Sequence, residues 1–539
     1  MSRLRFRSWL ALICVAILLG ACSSSAPVLS GGPPGPSSST DVITYHYDNQ
    51  RTGQNLNEVT LTPANVNSTK FGKLGEFTVD GKVDAQPLYL SNLMIGGQKK
   101  NVLYVATEHG SIYAFDADSI NGTTSASLWK TSMLGSGETT SDNRGCFQVS
   151  PEIAITATPV IDRTRNAIYV VAMSKNSAGN YFQRIHALDL TTGAELFGGP
   201  KTITATYPGT GDNSSAGNVV FDPKQYKERP GLLEINGTIY TTWASHCDIR
   251  PYTSWVMAFS ANTLAQTSVF NLVPNGSDGG LWMSGAAPAA DSAGNIFFLV
   301  GNGTFETALT AQGFPANKDC GNCFVKLSTG GGLALADYFT PQNTVAESNA
   351  DQDLGSGGTL LLPDAKDASG TTKHLALGGG KDSTVYVADR DNMGKFNANA
   401  NQIYQQISMP GTVFSAPAYF NGTVYLAAVG DALKAFTITN AKLASLPASQ
   451  STHVFGYPGA TPTVSANGAS NGIVWAIENS GAILFAYDAT DLTKELYDSN
   501  QAVNSRDSFS GNKFITPMVV NGKVYVGTPN SVAVFGLLP

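Results

Sequence analysis

Charged residues are scarce in this chain, and their scarcity excludes several classes of protein. Aspartate, glutamate, lysine and arginine together make up 14% of the 539 residues, where about 25% is ordinary for a soluble protein. Disordered chains and long solvated helices both depend on a high charge content, so neither class fits. The mean hydropathy also lies close to zero, which excludes a membrane protein with several spanning helices.

Glycine and proline, by contrast, are abundant. The chain has 56 glycines and 26 prolines, about 15% of its residues against an average near 12%. Hydrophobic residues make up 42% of the chain, which is enough for a large core. Many turn-forming residues between apolar stretches predict an all-β chain with short strands. A length of 539 residues then predicts either several domains or one large repetitive architecture.

The first 22 residues have the three parts of a lipoprotein signal. Arginines stand at positions 3, 5 and 7, an apolar stretch follows at 9–19, and small residues precede Cys22. The sequence Leu-Gly-Ala-Cys at 19–22 resembles the bacterial lipobox, which implies removal of residues 1–21 and lipidation of Cys22. An ordinary secretory signal and an uncleaved helix are the alternatives. We therefore expect a lipid anchor in the membrane rather than a spanning helix.

Residues 22–40 are rich in serine, proline and glycine. Such a composition cannot bury a core, so we expect a flexible tether. Ser23 follows the lipidated position, where an aspartate would mark retention in the inner membrane. We therefore expect the chain at the cell envelope, anchored in the outer membrane and facing the periplasm or the cell surface.

The processed chain is acidic. Without residues 1–21 it has 30 basic and 40 acidic residues, a formal net charge of −10. Nucleic acid and anionic lipid surfaces repel a chain of this charge, so no nucleic-acid partner is expected.

Four cysteines remain after processing, and an even number in an oxidising compartment predicts disulfides. Cys320 and Cys323 have the spacing of haem-attachment, zinc and thioredoxin-like motifs. A haem motif would need a histidine where Phe324 stands, a zinc site would need a second cysteine pair, and a thioredoxin-like site would need a βαβ unit. We therefore predict the disulfides Cys320–Cys323 and Cys146–Cys247.

A two-part strand pattern recurs eight times along the chain. Its first part is an apolar strand, usually with an aromatic residue near its third position, and its second part is another apolar strand after a variable turn. The pairs lie at 102–107 with 111–116, 167–172 with 184–189, 238–243 with 255–260, 295–300 with 323–328, 373–378 with 384–389, 423–428 with 432–437, 472–477 with 483–488, and 523–528 with 531–536. Each unit reads as an antiparallel meander with tight Asn-Gly turns, and a meander buries both faces only against neighbouring units.

These units predict a single eight-bladed β-propeller with four-stranded antiparallel blades over residues 41–539, at about 62 residues per blade. The alternative is two four-bladed domains, but no linker interrupts the copies. The last unit has no room for a fourth strand before Pro539, while a spare strand stands at 74–79. We predict that this N-terminal strand becomes the outer strand of the last blade and closes the ring.

Several short motifs resemble, in order and spacing, those of the quinoprotein alcohol dehydrogenases. They lie at 51–55, 61–66, 85–88, 111–117, 301–304, 353–358 and 385–390. The resemblance covers essentially the whole chain after the tether and implies the eight-bladed quinoprotein-like fold. It says much less about chemistry, because one fold serves many functions.

Enzymes of that family bind pyrroloquinoline quinone and calcium, and the resemblance implies positions for both. Asn302 resembles the calcium-ligand asparagine, Asp319 lies near the position of the catalytic aspartate, and Lys381 lies near that of the basic residue that contacts the cofactor. Trp243 and Trp282 are candidates for the tryptophan beneath the quinone. Each polar residue also has an ordinary interpretation: a turn asparagine, a solvated loop acid and a surface cation.

One family feature is missing from the sequence. The family stacks its quinone under a disulfide of adjacent cysteines, and no two cysteines of this chain are adjacent. We therefore expect a non-catalytic binding or scaffold module, a monomer that meets a protein partner on one propeller face. It is similar in plan to the propeller lipoprotein of the outer-membrane protein assembly machine. The alternative is a quinone- and calcium-dependent dehydrogenase of an alcohol or aldose, with a pocket roofed by the insertions at 130–155, 200–228 and 303–322.

Overall fold

The computed structural model describes residues 40–539. The predicted signal peptide, Cys22 and the tether up to residue 39 lie outside the described residues. Within residues 40–539 no helix is both long and apolar enough to cross a membrane. Helical structure in this range is limited to the α-helix α1, Thr344–Asn349, and three short 3-10 helices, Met283–Gly285, Leu354–Ser356 and Val503–Ser505.

The remaining regular structure is β-strand. The first half of the described chain has β1 Gln54–Asn55, β2 Phe71–Thr78, β3 Leu88–Ile95, β4 Gln98–Ala106, β5 Ser111–Asp116, β6 Gly122–Thr124, β7 Trp129–Ser132, β8 Glu138–Thr140, β9 Val160–Asp162, β10 Ala167–Asn176, β11 Tyr181–Asp189, β12 Lys201–Thr202, β13 Thr206–Pro208, β14 Ser214–Ser215, β15 Asn218–Val220, β16 Lys227–Glu228, β17 Leu233–Ile235, β18 Thr238–Ala244, β19 Trp255–Ser260 and β20 Gln266–Asn271. The second half has β21 Ala289–Ala290, β22 Ile296–Leu299, β23 Phe324–Ser328, β24 Ala334–Phe339, β25 Leu360–Leu361, β26 Ala365–Lys366, β27 Thr372–Lys373, β28 Leu375–Gly379, β29 Thr384–Asp389, β30 Gln405–Ser408, β31 Ala418–Phe420, β32 Thr423–Leu426, β33 Asp431–Thr439, β34 Lys442–Leu443, β35 Ser449–Phe455, β36 Thr463–Asn467, β37 Ser470–Glu478, β38 Ile483–Asp488, β39 Glu495–Asp498, β40 Met518–Val520, β41 Lys523–Gly527 and β42 Ser531–Leu537.

Eight sheets of four or five strands account for most of these strands. Each has at its centre one of the eight predicted strand pairs, and the pairs are antiparallel, as β4 with β5 and β41 with β42 show. Asn236, Asn421 and Asn521 lie in turns that connect the first strand of a sheet to the second, and each has a positive φ. This is the backbone conformation that an Asn-Gly hairpin turn requires. The two-part repeat of the sequence is therefore the strand pair at the middle of each sheet.

The sheet that contains the last strands of the chain takes one strand from the beginning. Strand β2 pairs antiparallel with β42, from Phe71 opposite Leu537 to Thr78 opposite Ser531. Pairing on this side covers the edge that β42 would otherwise expose. The partner strand begins three residues earlier than the spare strand at 74–79 found in the sequence.

The cores lie between successive sheets. Apolar side chains from neighbouring sheets form separate buried clusters, and three tryptophans, Trp243, Trp255 and Trp475, are completely buried in them. Strands buried on both faces have little surface for charged side chains, which explains the low charge content of the sequence.

One segment before β2 contacts all eight sheets, and we call residues 42–55 the hub segment. It forms a hydrogen bond to the first strand of every sheet. The bonded pairs are Val42 with Tyr89, Ile43 with Ile161, Asn49 with both Glu234 and Ala290, Gln50 with Leu361, Thr52 with Tyr419, Gly53 with Val464, and Asn55 with Val519.

The side chain of Arg51 stabilises the backbone conformation of the hub segment. It is 1% exposed; it donates hydrogen bonds to the carbonyl oxygen of Pro288 at 2.8 Å and to the hydroxyl of Thr44 at 2.7 Å. The Nη1 that bonds to Thr44 also donates to the backbone carbonyl oxygens of Tyr45 and Asp48, while Nη2 is buried with no hydrogen-bond partner in residues 40–539. The bonds from Nε and Nη1 fix the backbone around the guanidinium. The motif at 51–55 therefore has a structural role at the centre of the sheets.

Candidate functional site

The described part of the chain contains a cavity with a volume of about 380 Å³, which is enough for a small molecule. Its lining comes from two kinds of loop. Cys247 and Lys381 lie between the second and third strands of their sheets, and Phe414 and Tyr457 lie between the last strand of one sheet and the first strand of the next. Strand direction alternates in an antiparallel meander, so these two kinds of loop end on the same face.

A cystine borders this cavity. Both predicted disulfides are present, Cys146–Cys247 with a sequence separation of 101 and Cys320–Cys323 with a separation of 3. Only the first of them lines the cavity, whereas Cys320 and Cys323 are fully buried in a hydrophobic core. Two cysteines far apart in the sequence thus supply a disulfide at the cavity, which the search for adjacent cysteines could not find.

An aromatic wall forms one side of the cavity. The ring centroids of Trp282 and Phe414 are 5.7 Å apart, those of Phe414 and Tyr457 are 5.4 Å apart, and those of Tyr457 and Phe514 are 6.0 Å apart. Tyr457 is 48% exposed and lines the cavity. The rings meet tilted or edge to face, at 53°, 75° and 78°, so they offer separate ring faces against which a flat ligand could stack.

A strained turn positions Trp282 within this wall. The three residues that follow it, Met283, Ser284 and Gly285, all have positive φ angles. The Ser284 hydroxyl donates a hydrogen bond of 2.6 Å to the carbonyl oxygen of Ser356, in the 3-10 helix that precedes β25. Such backbone conformations persist only where the surrounding structure fixes them, and they cluster at functional sites.

Lys381 connects the wall to two carboxylates. Its ammonium nitrogen lies 2.6 Å from Asp353 Oδ2, 2.8 Å from Asp351 Oδ1 and 5.5 Å from the centroid of the Trp282 ring. Burial lowers the pKa of Lys381, but the two carboxylates outweigh burial and leave it above its ordinary value. Lys381 is therefore a charged, fixed cation over the face of Trp282.

Asp353 is the most enclosed acid of the cavity, at 2% exposed. Burial raises its pKa to about 6, although Lys381 acts in the opposite direction. Its second oxygen accepts a 2.5 Å hydrogen bond from the backbone N–H of Asn302. Gly301 permits this approach, since a Cβ on Gly301 would lie 3.0 Å from Asp353 Oδ1 and 2.6 Å from the carbonyl oxygen of Gly280.

The structure therefore brings together three of the residues selected from the sequence, Asn302, Lys381 and Trp282. Two others lie elsewhere. Trp243 is fully buried in a core between sheets, where its indole nitrogen donates to Thr241. Asp319 does not line the cavity; it is 2% exposed rather than solvated, accepts a hydrogen bond from the backbone N–H of Asn275, and has a pKa raised to about 6 by burial.

Sequence reasoning did not select three residues that line the cavity, Asp353, Lys227 and Arg229. Asp353 begins a motif that resembles the family pattern, but the resemblance points to Asp319 as the catalytic position. In the structure the loop before β25 reaches the Asn302 turn, where Asp353 accepts the backbone hydrogen bond, whereas Asp319 accepts one from Asn275. The insertions at 130–155 and 200–228 contribute Cys146 and Lys227 to the cavity, whereas 303–322 contributes no lining residue.

Sequence comparison finds no relatives: no protein-family model and no curated protein sequence matches the chain. Structure comparison does find matches. The quinohemoprotein alcohol dehydrogenase of Comamonas testosteroni superposes with a TM-score of 0.61 and 16% sequence identity, covering 93% of this chain and 81% of that one. The quinohemoprotein alcohol dehydrogenase ADHIIG of Pseudomonas putida HK5 gives a TM-score of 0.62 at 14% identity, covering 92% and 80%.

A europium-containing methanol dehydrogenase matches as well, with a TM-score of 0.59 at 11% identity, covering 92% of this chain and 98% of that one. Identities this low show a shared fold and leave the chemistry of the site to its own residues. On its sheets and these matches, the chain has the β-propeller fold of the quinoprotein alcohol dehydrogenases.

Proposed function

We propose that this chain is a binding propeller of the cell envelope that holds a flat, polyanionic aromatic molecule of the pyrroloquinoline quinone type without turning over a substrate. The observation that carries this proposal is the composition of one cavity, in which a cystine, an aromatic wall and buried cations meet. Its volume of about 380 Å³ lies in the range of about 300–1,000 Å³ that small-molecule sites have.

The residues of the cavity fit such a quinone. Trp282 and Phe414 offer ring faces for stacking, while Lys227 and Arg229 are buried cations that lie within reach of a ligand carboxylate. Lys381, held over Trp282, would face a polar edge of a stacked ring. When bound, the quinone would supply an acceptor of two electrons.

The same residues do not fit calcium. Calcium takes about six to eight oxygen ligands, and within residues 40–539 no group of three or more His, Cys, Asp or Glu side chains is placed to hold a metal ion. Both Asp353 oxygens already have protein partners, and the amide nitrogen of Asn302 donates to Asp351 at 3.3 Å. Lys381 supplies the positive charge that these carboxylates require. We therefore propose binding that is independent of a divalent cation.

A quinone-dependent dehydrogenase is the second candidate, and Asp353 is the observation that favours it. A buried carboxylate with a pKa raised to about 6, beside a fixed lysine, has the properties of a general base near neutral pH. Its raised pKa would let Asp353 take a proton from a substrate hydroxyl, and the ion pair with Lys381 would keep its carboxylate oriented.

One set of titrations tests the proposal and separates the two candidates. Pyrroloquinoline quinone is titrated into the purified protein by calorimetry, once with a chelator and once with calcium, and dye-linked oxidation of alcohols and aldoses is measured on the same samples. We expect equal binding in both buffers and no oxidation. Oxidation above the quinone-free control would establish the dehydrogenase, and the absence of binding in both buffers would refute both candidates.

A matched pair of lysine variants tests whether the cavity is the binding site. Lys381→Met removes a cation of the cavity, whereas Lys373→Met removes a lysine in a similar ion pair, 3.0 Å from Asp389, outside the cavity. We expect the first variant to weaken quinone binding at least about tenfold and the second to leave it unchanged. Equal affinities for both variants would move the binding site elsewhere.

We further propose that the eight sheets are the blades of one ring and that the pairing of β2 with β42 closes it. The sheet count and that pairing support the proposal.

We also propose lipidation of Cys22 and placement in the outer membrane, on the lipobox resemblance alone. Fractionation of cells that express wild-type protein and Cys22→Ser tests the anchor. Wild type should be found with the outer membrane and the variant in the soluble fraction, and equal distribution would reject lipidation.

A further inference from the structure

The inner wall of the cavity contains two buried cations that have no anionic partner. Lys227 and Arg229 are 4% and 7% exposed, and both line the cavity. Among the described residues neither side chain forms an ion pair or a hydrogen bond. Lys381 in the same cavity has two carboxylates within 3 Å, so its charge is compensated and theirs is not.

The side chains of Lys227 and Arg229 lie on the same face of their strand. Strand β16 pairs with β18, so that Lys227 lies opposite Ala244 and Glu228 lies opposite Trp243. Successive side chains of an extended strand point to opposite faces. Lys227 and Arg229 therefore share the cavity face, while Glu228 points away and accepts a hydrogen bond from the backbone N–H of Thr242. The Arg229 guanidinium lies 5.0 Å above the Phe514 ring centroid, which fixes it beside the aromatic wall.

The carboxylates near Lys227 do not compensate for its burial and for the neighbouring charge of Arg229. Burial first, and then the charge of Arg229, lower the pKa of Lys227 to about 7, against the weaker opposing effects of Glu108 and Asp248. The same two causes lower the pKa of Lys513 to about 8.

The carboxylate that interacts with Arg229 is already paired with another cation. Burial acts to raise the pKa of Asp84, but the charges of Lys82 and, more weakly, Arg229 lower it. Asp84 forms its ion pair with Lys82, at 3.1 Å. A buried charge without a counter-charge destabilises a fold, so two such charges at a cavity wall indicate a functional role.

We propose that Lys227 and Arg229 form a subsite for a carboxylate or phosphate group attached to a flat aromatic ligand. A bound anion would offset two buried positive charges at once, and the ring that carries it would meet Phe514. This inference deepens the proposed function, since it uses the same cavity, but it does not require the ligand to be a quinone.

The test compares three anions on the full-length protein: inorganic phosphate, benzene-1,2,4-tricarboxylate and pyrroloquinoline quinone. Calorimetry gives each Kd, and the melting temperature is recorded with and without each anion. The variant is Lys227→Met, and the control is Lys224→Met, which removes an exposed lysine three residues away. Phosphate and the tricarboxylate distinguish a phosphate group from a carboxylate as the preferred anion.

Two changes of opposite sign are expected for Lys227→Met. Without ligand it should melt at a higher temperature than wild type, because it lacks an uncompensated buried charge. It should also bind the preferred anion at least about tenfold more weakly, while Lys224→Met matches wild type in both respects. A merely structural lysine would change the melting temperature and leave the Kd alone. Arg229→Gln provides a second variant with the same expected loss of affinity.

The inference and the proposed function can fail separately. If the quinone binds wild type and Lys227→Met with equal affinity, the anion subsite is wrong and the proposed function stands. If phosphate or the tricarboxylate binds in a Lys227-dependent manner and the quinone does not bind, the subsite stands and the proposed function is wrong. If wild type binds none of the three anions, the subsite is wrong.

Discussion

Removal of the Cys146–Cys247 disulfide should lower stability more than removal of Cys320–Cys323. In the chain-entropy model, a cross-link between residues 101 apart contributes about 4.7 kcal/mol and one between residues 3 apart contributes about 2 kcal/mol. Alanine is the better replacement, since three of the four cysteines are completely or almost completely buried and a serine hydroxyl there would lack partners.

The change in melting temperature follows from the size of the protein. Unfolding entropy is about 2.1 cal/mol/K per residue, or about 1 kcal/mol/K for the residues from 40 to 539. The Cys146→Ala, Cys247→Ala variant should therefore melt about 4–5 °C below wild type, and the Cys320→Ala, Cys323→Ala variant about 2 °C below it. Differential scanning calorimetry of the three oxidised proteins measures both differences.

Ligand binding provides a second readout, because only the first disulfide borders the cavity. Loss of Cys146–Cys247 should weaken quinone binding, and loss of Cys320–Cys323 should not. A larger drop in melting temperature for the Cys320, Cys323 variant would refute the chain-entropy reasoning. Unchanged quinone affinity without Cys146–Cys247 would refute the role of the cystine in the cavity.

Three further predictions follow from the structure. Trp282→Ala should weaken quinone binding at least about tenfold with little change in stability, whereas Trp243→Ala should cost about 3–5 kcal/mol of unfolding free energy because it leaves a cavity in a core; calorimetry and denaturant unfolding distinguish these effects. Burial raises the pKa of Asp353 from 3.8 to about 6. The unfolding free energy gained by protonating Asp353 is therefore complete below pH 4 and is lost as the pH rises through 6. Between pH 4 and 7 the unfolding free energy of Asp353→Asn should rise relative to that of wild type by up to about 3 kcal/mol, and a difference that does not change with pH would contradict this. Deletion of Phe71–Thr78 exposes the edge of β42, so the protein should self-associate in sedimentation experiments, and a monodisperse monomer would argue against the edge protection by β2.

The strand pairs could be predicted from the sequence because their signal is local. An apolar strand, a turn and a second apolar strand are contiguous. Three of these pairs are preceded by Asn-Gly turns, at Asn236, Asn421 and Asn521, which have the backbone conformation that hairpins require. The partner of β42 could be found for a related reason: the last unit lacks a strand and a spare one precedes the first unit. Patterns that repeat along the chain are visible without knowledge of distant contacts.

The cavity could be predicted only in part, because its residues come from separate loops. Asn302 and Asp353 are 51 positions apart and meet through a backbone hydrogen bond, whereas the family resemblance points to Asp319 as the catalytic position. Lys227 and Arg229 stand in a lysine-glutamate-arginine sequence that is typical of a solvated surface. Only the position of that strand at the cavity wall shows that all three charged side chains are buried and that two of them, Lys227 and Arg229, line the cavity.

The hub segment fixes how many sheets this protein can have. A set of repeated units that touch only their neighbours can gain or lose a unit, and its parts can open one by one. Here one short stretch of chain, residues 42–55, provides a hydrogen bond for each of the eight sheets. A ninth sheet would find no partner in the segment, and a missing sheet would leave one of its polar groups unpaired, so the count is encoded outside the repeats. The same stretch ties the sheets to one another, and we expect them to unfold in a single transition.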